Sequence, residues 1–574
     1  MEFYQPDPLI APDPASNGAH DTPGAPASLT HRQIILILAS ISLGMLPAVI
    51  DGTIVATALP SIAGDLGGLD QISWVVTAYL LAMTIATPLF GKFGDLYGRK
   101  VLYQIATMAI LGSSVLAGLA PSMVALIGAR AIQGFASGGI IVLVQAIIAD
   151  VVSPRERGRY QGYYAAVFGA ATIIGPLVGG ILTDSLSWRW IFFINVPLCI
   201  AGFLCVRAVL PTSPRRREVR IDWVGTVVLT VAITALVLLT TWGGVKYDWG
   251  SPMIVALGAL AVGFGVVFVF VERRVADPTI PLVLFRLRTV KLASAIAFVL
   301  GVCMLGTITF LPTFLQIANG ISASSAGILL APQALGILGA SVLAGQILTR
   351  TGRYRFLPIG GTLVAATGML LLSTLGTDTS RLQSSLYMAV FGIGVGFTLP
   401  VIIVATQNEA PPEHLGSATA TVNFFRAIGS SIGVAIFGAL YTSQLVHALG
   451  STVAGDATPE GMKSLSPALQ HETATAVADA ITQVFRWAVP ILLVAFVLAW
   501  FVKEVPLRTN SGSAAAFELA MSEEAALGFV DPAFTPEAFE EDLPALADSA
   551  VAKGNGSSNA TTSTADATAE GSAS

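Results

Sequence analysis

Apolar residues run from Ile34 to Ala58 with mostly small residues between them, broken by one carboxylate, Asp51, in the stretch VIDGTIVATALP (49–60). Similar runs recur along the chain. A helix that crosses a bilayer needs about 20 mainly apolar residues. On that rule spans fall at 34–58, 71–91, 101–120, 122–148, 160–183, 189–210, 223–242, 252–271, 291–315, 324–348, 356–375, 383–406, 417–442 and 484–502, fourteen in all. An even count places both chain ends on one side. Alternate loops hold Lys92, Arg99 and Lys100; Arg155, Arg157 and Arg159; Arg215, Arg216, Arg217 and Arg220; Arg273, Arg274, Arg286, Arg288 and Lys291; and Arg350, Arg353 and Arg355. The other loops offer Arg189, Lys246, Arg381, Lys463 and Arg486. Basic loops stay on the cytoplasmic side, so both termini are expected there, with 443–483 as a long external loop.

Composition agrees with the pattern. Of 574 residues, 54% are hydrophobic and 11% charged, with mean hydropathy +0.75, against roughly 25% charged in a soluble chain. The sequence therefore predicts an all-α polytopic membrane protein. Cys199, Cys205 and Cys303 lie in apolar runs at spacings that suit neither zinc nor a disulfide framework, and the five histidines are scattered; no metal site is expected. The net charge of −5 hides an uneven distribution, because residues 504–574 carry twelve acids against Arg508 and Lys553 and residues 1–31 carry four acids with no Lys or Arg. Both ends are too polar and simple in composition to bury a core. They read as disordered tails, with only Phe517–Leu527 patterned for a short amphipathic helix. No signal peptide is evident, since polar residues precede the first apolar run.

An internal repeat divides the middle. GKFGDLYGRK (91–100) is echoed by GQILTRTGRY (345–354), and DVVSPRERG (150–158) by NEAPPEHLG (408–416), at offsets of 254 and 258. The later register also carries Gly175 onto Gly433 and Gly180 onto Gly438. Two parallel six-helix bundles follow, 32–210 and 291–503, related by an axis along the membrane normal. The surplus, 211–290, inserts two further helices between them.

Several polar groups inside or beside the spans carry chemical meaning. In GKFGDLYGRK, Gly91 and Gly98 permit close backbone approach, Asp95 suits a helix N-terminus, and Arg99, beside Lys100, can pair with an acid such as Asp150 at the end of the fourth span. Asp95 is replaced by Thr349 in the second copy, so any such contact is asymmetric. In ALIGARAIQGFASGG (125–139), Arg130 sits well inside an apolar run and must be paired or hydrated. A rise of about 1.5 Å per residue puts it at a depth similar to that of Asp51; whether they touch is left open. In AATIIGPLVGG (170–180), Pro176 bends the helix while Gly175, Gly179 and Gly180 allow tight packing. WRWIFFINVP (188–197) places Trp188 and Trp190 where an outer aromatic belt would lie. Arg426 stands in NFFRAIGSSIG of the thirteenth span.

Taken in order, these motifs resemble the major facilitator superfamily, and within it the fourteen-span drug:proton antiporters, over roughly 32–502. GKFGDLYGRK matches the signature G-x-x-x-D-x-x-G-R-[RK] at each fixed position. AATIIGPLVGG is similar to the motif that marks antiporters, except that its first glycine falls at Ala171. The resemblance implies that Asp51, with Arg130, couples protons to transport, and that Gly91, Asp95, Gly98, Arg99, Lys100 and Asp150 form a latch on the state closed to the cytoplasm. It implies that Gly175, Pro176, Gly179 and Gly180 form a bendable interface and that Gln133 and Arg426 face a substrate cavity.

The expectation that follows is a proton-driven exporter of small lipophilic compounds in the plasma membrane, a monomer working by alternating access with protons as coupling ion and no other cofactor. The alternative is a proton-coupled uptake symporter, against which the Gly-Pro motif argues. No nucleophile, metal cluster or carboxylate pair suggests an enzyme. The phosphate-cradling G-x-x-x-x-G-K-[ST] loop is absent, and the short basic loops are explained by orientation rather than nucleic acid.

Overall fold

The computed structural model describes residues 30–507, apart from 68–70, 212–221, 245, 276, 322–328, 456–461 and 463–465. Its helices are α1 (His31–Leu66), α2 (Ile72–Tyr97), α3 (Arg99–Gly118), α4 (Met123–Val151), α5 (Pro154–Ser185), α6 (Asn195–Val209, after a single turn at Trp190–Phe193), α7 (Trp223–Trp242), α8 (Pro252–Glu272), α9 (Arg288–Thr313), α10 (Ala331–Thr351), α11 (Phe356–Leu372), α12 (Arg381–Glu409), α13 (Leu415–Gly455) and α14 (Pro467–Trp500). Among the described residues, twelve helices are long and apolar enough to cross a membrane. Fourteen spans are thus not carried by length and apolarity alone: α11 has 17 residues, and α5 opens on Arg155, Glu156, Arg157 and Arg159.

Local chemistry sets the helix ends. Thr30 and Gln33 form a capping box at the start of α1, and Ser122, Asp222, Ser251 and Ser380 accept from the first free N–H groups of α4, α7, α8 and α12, satisfying donors that a helix start leaves unpaired. Gly98, at φ +88°, makes the sharp turn from α2 to α3, and Gly352, at φ +67°, ends α10. Both positions favour glycine because a Cβ strains a positive φ.

The long external loop expected at 443–483 is largely helical instead. Helix α13 continues to Gly455, broken only by Gly450 at φ +74°, and α14 begins at Pro467. The stretch TSQLVHALG interleaves Thr, Ser, Gln and His with helix formers such as Leu and Ala, so hydropathy alone ended the span too early. Of the tail expected to be disordered from 504, residues 508–574 lie outside the described residues, and its first residues are held by hydrogen bonds. Glu504 accepts from Tyr354 N at 3.0 Å and Pro506 O from Asn408 Nδ2 at 3.2 Å. The arginines at 215–217 and 220, and the helix expected at Phe517–Leu527, lie outside the described residues.

Two apolar cores form, one from α1–α6 and one from α9–α14. The packing repeats: α2 on α4, α3 on α4 and α1 on α5 in the first half, α10 on α12, α11 on α12 and α9 on α13 in the second. In a bilayer, close packing of small residues rather than apolar burial joins helices. A Cβ at Gly134 would meet Tyr79 O at 2.1 Å and one at Gly138 would meet Met83 O at 2.4 Å. At the same offsets, a Cβ at Gly392 would meet Gln333 O at 2.2 Å and one at Gly396 would meet Ile337 O at 2.4 Å. Replacing Gly392 with Val should therefore force α10 from α12, an overpacking cost of about 1–3 kcal/mol. Thermal unfolding of the purified protein in detergent checks this, and an unchanged midpoint would contradict it.

The halves meet through α5 on α10 and α2 on α13. The inserted pair α7–α8 lies beside that second contact. Leu229, Ile233 and Val237 of α7 share a small core with Leu81 and Ile85 of α2 and with Phe424, Phe425 and Ile428 of α13.

Candidate functional site

Asp51 and Arg130 meet. Arg130 Nη1 donates to Asp51 Oδ2, and each of the two residues is 1% exposed. Helix rise places Asp51 about 30 Å along α1 from His31, and Arg130 about 32 Å from the Val151 end of α4. The rest of the shell holds the pair in place. Gln133 Nε2 and Asn195 Nδ2 each donate to Asp51 Oδ1 at 3.4 Å, and both also reach Ser114 Oγ, at 2.8 and 3.3 Å. Arg130 donates further to Gln133 Oε1 at 3.1 Å and to Val75 O at 3.3 Å. Its guanidinium lies 4.2 Å from the centre of the Tyr79 ring, whose hydroxyl donates to Ala48 O at 2.8 Å. One acid and one base are thereby sealed inside the first half with no bulk water between them. A buried pair of this kind is sensitive to loss of either charge, since removing one partner costs about 3–5 kcal/mol.

Sequence reasoning missed Ser114, Asn195 and Tyr79. Asn195 gave a signal, being an amide inside the apolar run FFINVPLCIAG. Gln133, expected at a substrate cavity, is fully buried in this cluster.

Beside Asp51, at Ile50 and Thr53, α1 touches the Gly-Pro segment of α5. A Cβ at Gly175 would meet Thr53 Oγ1 at 2.2 Å and Ile50 O at 3.4 Å. Gly179 is buried and Gly180 half-buried; the side chain of Pro176 lies outside the described residues.

At the basic end the two halves are joined. Asp95 accepts from Gly416 N at 2.9 Å, Ser417 N at 2.8 Å and Ser417 Oγ at 2.9 Å, so a carboxylate of α2 caps α13 of the opposite half. Its negative charge sits at the positive end of that helix dipole. Arg99 Nη2 holds the same carboxylate at 2.9 Å, while Nη1 pairs with Asp150 and donates to Ala146 O at 2.5 Å. Lys100 Nζ donates to Arg207 O at 3.1 Å, fastening α3 to α6. Gly91 lies against Ala420 Cβ and Gly416 O, at 2.3 and 3.0 Å from an added Cβ, and its repeat partner Gly345 lies 2.0 Å from Gly158 O on the same measure. The sequence echoes therefore meet across the interface, each copy against the other's partner. They are chemically unequal: where Asp95 accepts three hydrogen bonds from the opposite half, Thr349 offers that half its carbonyl, to Arg155 Nε at 3.4 Å.

Farther in lies a layer of neutral amides. Gln407 Nε2 donates to Gln145 O at 3.3 Å and Thr419 Oγ1 at 2.9 Å, and Asn423 Nδ2 to Gln145 Oε1 at 2.8 Å. Arg426 follows, one turn beyond Asn423. Hydrogen bonds that join the halves thus lie in this layer and at the basic end. This conformation is closed there.

At the opposite end, Trp188 is not free for an aromatic belt. It is 4% exposed and donates to Asp65 Oδ2 at 3.0 Å, while Arg189 stacks 4.3 Å over its ring and pairs with the same carboxylate at 2.5 Å. Those hydrogen bonds, from Arg189 first and Trp188 second, hold the Asp65 carboxyl below the ordinary range. Trp190, 49% exposed, remains at the surface.

Residues 41–434 match the family description Major Facilitator Superfamily. An uncharacterized MFS-type transporter of Mycobacterium tuberculosis is 41% identical over 483 residues, covering 82% of this chain and 70% of the relative. Multidrug resistance protein 3 of Bacillus subtilis is 34% identical over 493 residues, covering 83% and 96%. Among solved structures, the proton:xylose symporter XylE aligns over 85% of this chain and 100% of its own with TM-score 0.57 at 16% identity, a likeness of fold.

Proposed function

The chain belongs to the Major Facilitator Superfamily, and from that premise we propose that it exports small lipophilic compounds in exchange for protons. It is a multi-pass membrane transporter of small molecules; the plasma membrane as its site, and the cytoplasm as the side of the basic end and both termini, are part of the proposal. One observation carries the reading: a carboxylate fully sealed in the first bundle and neutralised by a single arginine. The efflux names of relatives such as Multidrug resistance protein 3 supply the direction.

The proposed cycle uses these residues as follows. In the conformation closed at the basic end, Asp51 is held by Arg130, Gln133 and Asn195. A proton arriving from outside removes the charge that Arg130 faces, and Arg130 must then find another partner. That changes how α1 sits on α4 at the turn where Thr53 touches Gly175. Helix α5 carries the change to its far end, where Gly158 rests on Gly345 of the other half. Opening there breaks the contacts of Asp95 with Gly416 and Ser417. The proton leaves inward, and substrate is taken up by the form in which Asp51 is charged. The halves rock about the site between them.

Energised cells should hold a lipophilic substrate at a lower internal level than cells lacking the protein, and a protonophore should erase that difference while cellular ATP is kept constant. Accumulation inside energised cells would instead assign the uptake symporter, and a difference surviving the protonophore would contradict proton drive.

A further inference from the structure

We infer that the exported compounds are lipophilic monoanions, and that Arg426 receives their negative charge; this rests on the export reading above. Two arginines stand deep in the spans, and their surroundings differ. Arg130 has a carboxylate, an amide oxygen, a backbone carbonyl and an aromatic face. Arg426 Nη2 has one neutral contact, Asn423 Oδ1 at a long 3.4 Å. No carboxylate lies within ion-pair distance of it among the described residues. A guanidinium offers five N–H donors, so most of its hydrogen-bonding capacity has no protein acceptor here.

Its position is that of a ligand-facing group. Eleven residues from Leu415, it lies about 16 Å in from the basic end of α13, near mid-bilayer, where an unpaired charge is held by water or by a partner. The side chain is half-buried. Its neighbour Asn423 donates to Gln145 Oε1 of α4 at 2.8 Å, so Arg426 stands one turn beyond a contact that crosses between the halves. Below it the Gln145, Gln407, Thr419 and Asn423 layer closes the path to the basic end with neutral groups. Its backbone is fixed, since Gly301 of α9 would meet Arg426 O at 2.2 Å if it carried a Cβ. A cation with free donors, above a closed floor and between two halves that separate, is complementary to a carboxylate, sulfonate or enolate on an apolar body.

The charge arithmetic gives a second, independent handle. Exchange of one proton for a neutral compound moves one charge per cycle; for a monovalent cation it moves none; for a monoanion it moves two. Each charge is worth about fifty-fold in concentration ratio at 100 mV, so an anion would be driven with twice the exponent.

The test uses the purified full chain in proteoliposomes prepared in gluconate, so that no halide competes. Anilinonaphthalene sulfonate serves as the lipophilic anion and tetraphenylphosphonium as the lipophilic cation, with the pH gradient and the potential set separately. The wild type should accumulate the anion uphill, and an imposed potential should add to the pH gradient in driving it. Arg426→Gln should lower anion transport at least tenfold without lowering that of the cation, and Arg426→Lys should restore part of it. Undiminished anion transport by Arg426→Gln, or equal loss of both probes in a variant that stays monodisperse, would overturn the inference. Proton-linked transport of the cation without the anion would overturn it while leaving the export reading in place. Movement of neither probe, with no release of protons, would defeat both.

Discussion

Asp51→Asn should lose uphill export almost entirely while still passing substrate down its gradient. An amide keeps the shape and the contacts with Gln133 and Asn195 but neither binds nor releases a proton, so the coupling disappears and the path remains. One charge crossing 100 mV supplies about 2.3 kcal/mol, near fifty-fold in concentration ratio, and that factor sets the least loss expected in the steady-state gradient. The same substitution leaves Arg130 buried without its counter-charge, at about 3–5 kcal/mol, so poor folding would mimic loss of function. Pairing Asp51→Asn with Arg130→Gln removes both charges. The double variant should recover most of the thermal stability and none of the uphill export. Recovery of export would show that Asp51 serves the fold alone.

Asp95→Ala should open the basic end. Its carboxylate accepts from Gly416 N, Ser417 N and Ser417 Oγ and is held by Arg99. Hydrogen bonds to a charged group contribute about 1.5–3 kcal/mol each, and they are not additive within one site. A shift of about 3 kcal/mol against the closed form, over a hundredfold in population, is the expected scale. Arg99 keeps Asp150 and Ala146 O, so the loss falls on the contact between halves rather than on the first bundle. Spin labels at Tyr97 and Arg353, exposed at the basic ends of α2 and α10, report it after the three native cysteines are replaced by Ala. The distance distribution should lengthen and broaden, and export should fall at least tenfold. A distribution identical to that of the unsubstituted background would contradict the latch. The repeat equivalent is a sharper control: Thr349 contributes a backbone carbonyl, so Thr349→Ala should change little.

Much of this arrangement was legible from residues alone, for identifiable reasons. Apolar runs locate helices in a bilayer because the backbone has no other way to satisfy its hydrogen bonds there. The repeat was legible because glycine is costly to replace where helices touch, and Gly134, Gly138, Gly392 and Gly396 keep the offset found from the loops. The depths of Asp51 and Arg130 followed from helix rise, while their contact did not, because depth leaves the rotation of each helix undetermined. Asn195 and Ser114 were hidden for the same reason: one comes from α6 and the other from α3, and only the packing of four helices brings Asn195 to the carboxylate and Ser114 to the amides that hold it. For Asp95 the motif indicated a helix N-terminus, and the structure identifies which one. The helical continuation of α13 past Tyr441 was misread because polarity was taken to end the helix as well as the span. Trp188 was misread because an aromatic ring near the bilayer surface suits a belt as well as it suits a buried bond to Asp65.

The most direct test of the account follows the proton itself. Inverted vesicles are given an acidic lumen, a substrate that wild-type cells export is added, and the rate at which the pH gradient collapses is recorded for the wild type and for Asp51→Asn at equal amounts of folded protein. Substrate-dependent collapse in the wild type, absent from the Asn variant, is the predicted result. Collapse at the wild-type rate in the variant would show that the proton travels without this carboxylate.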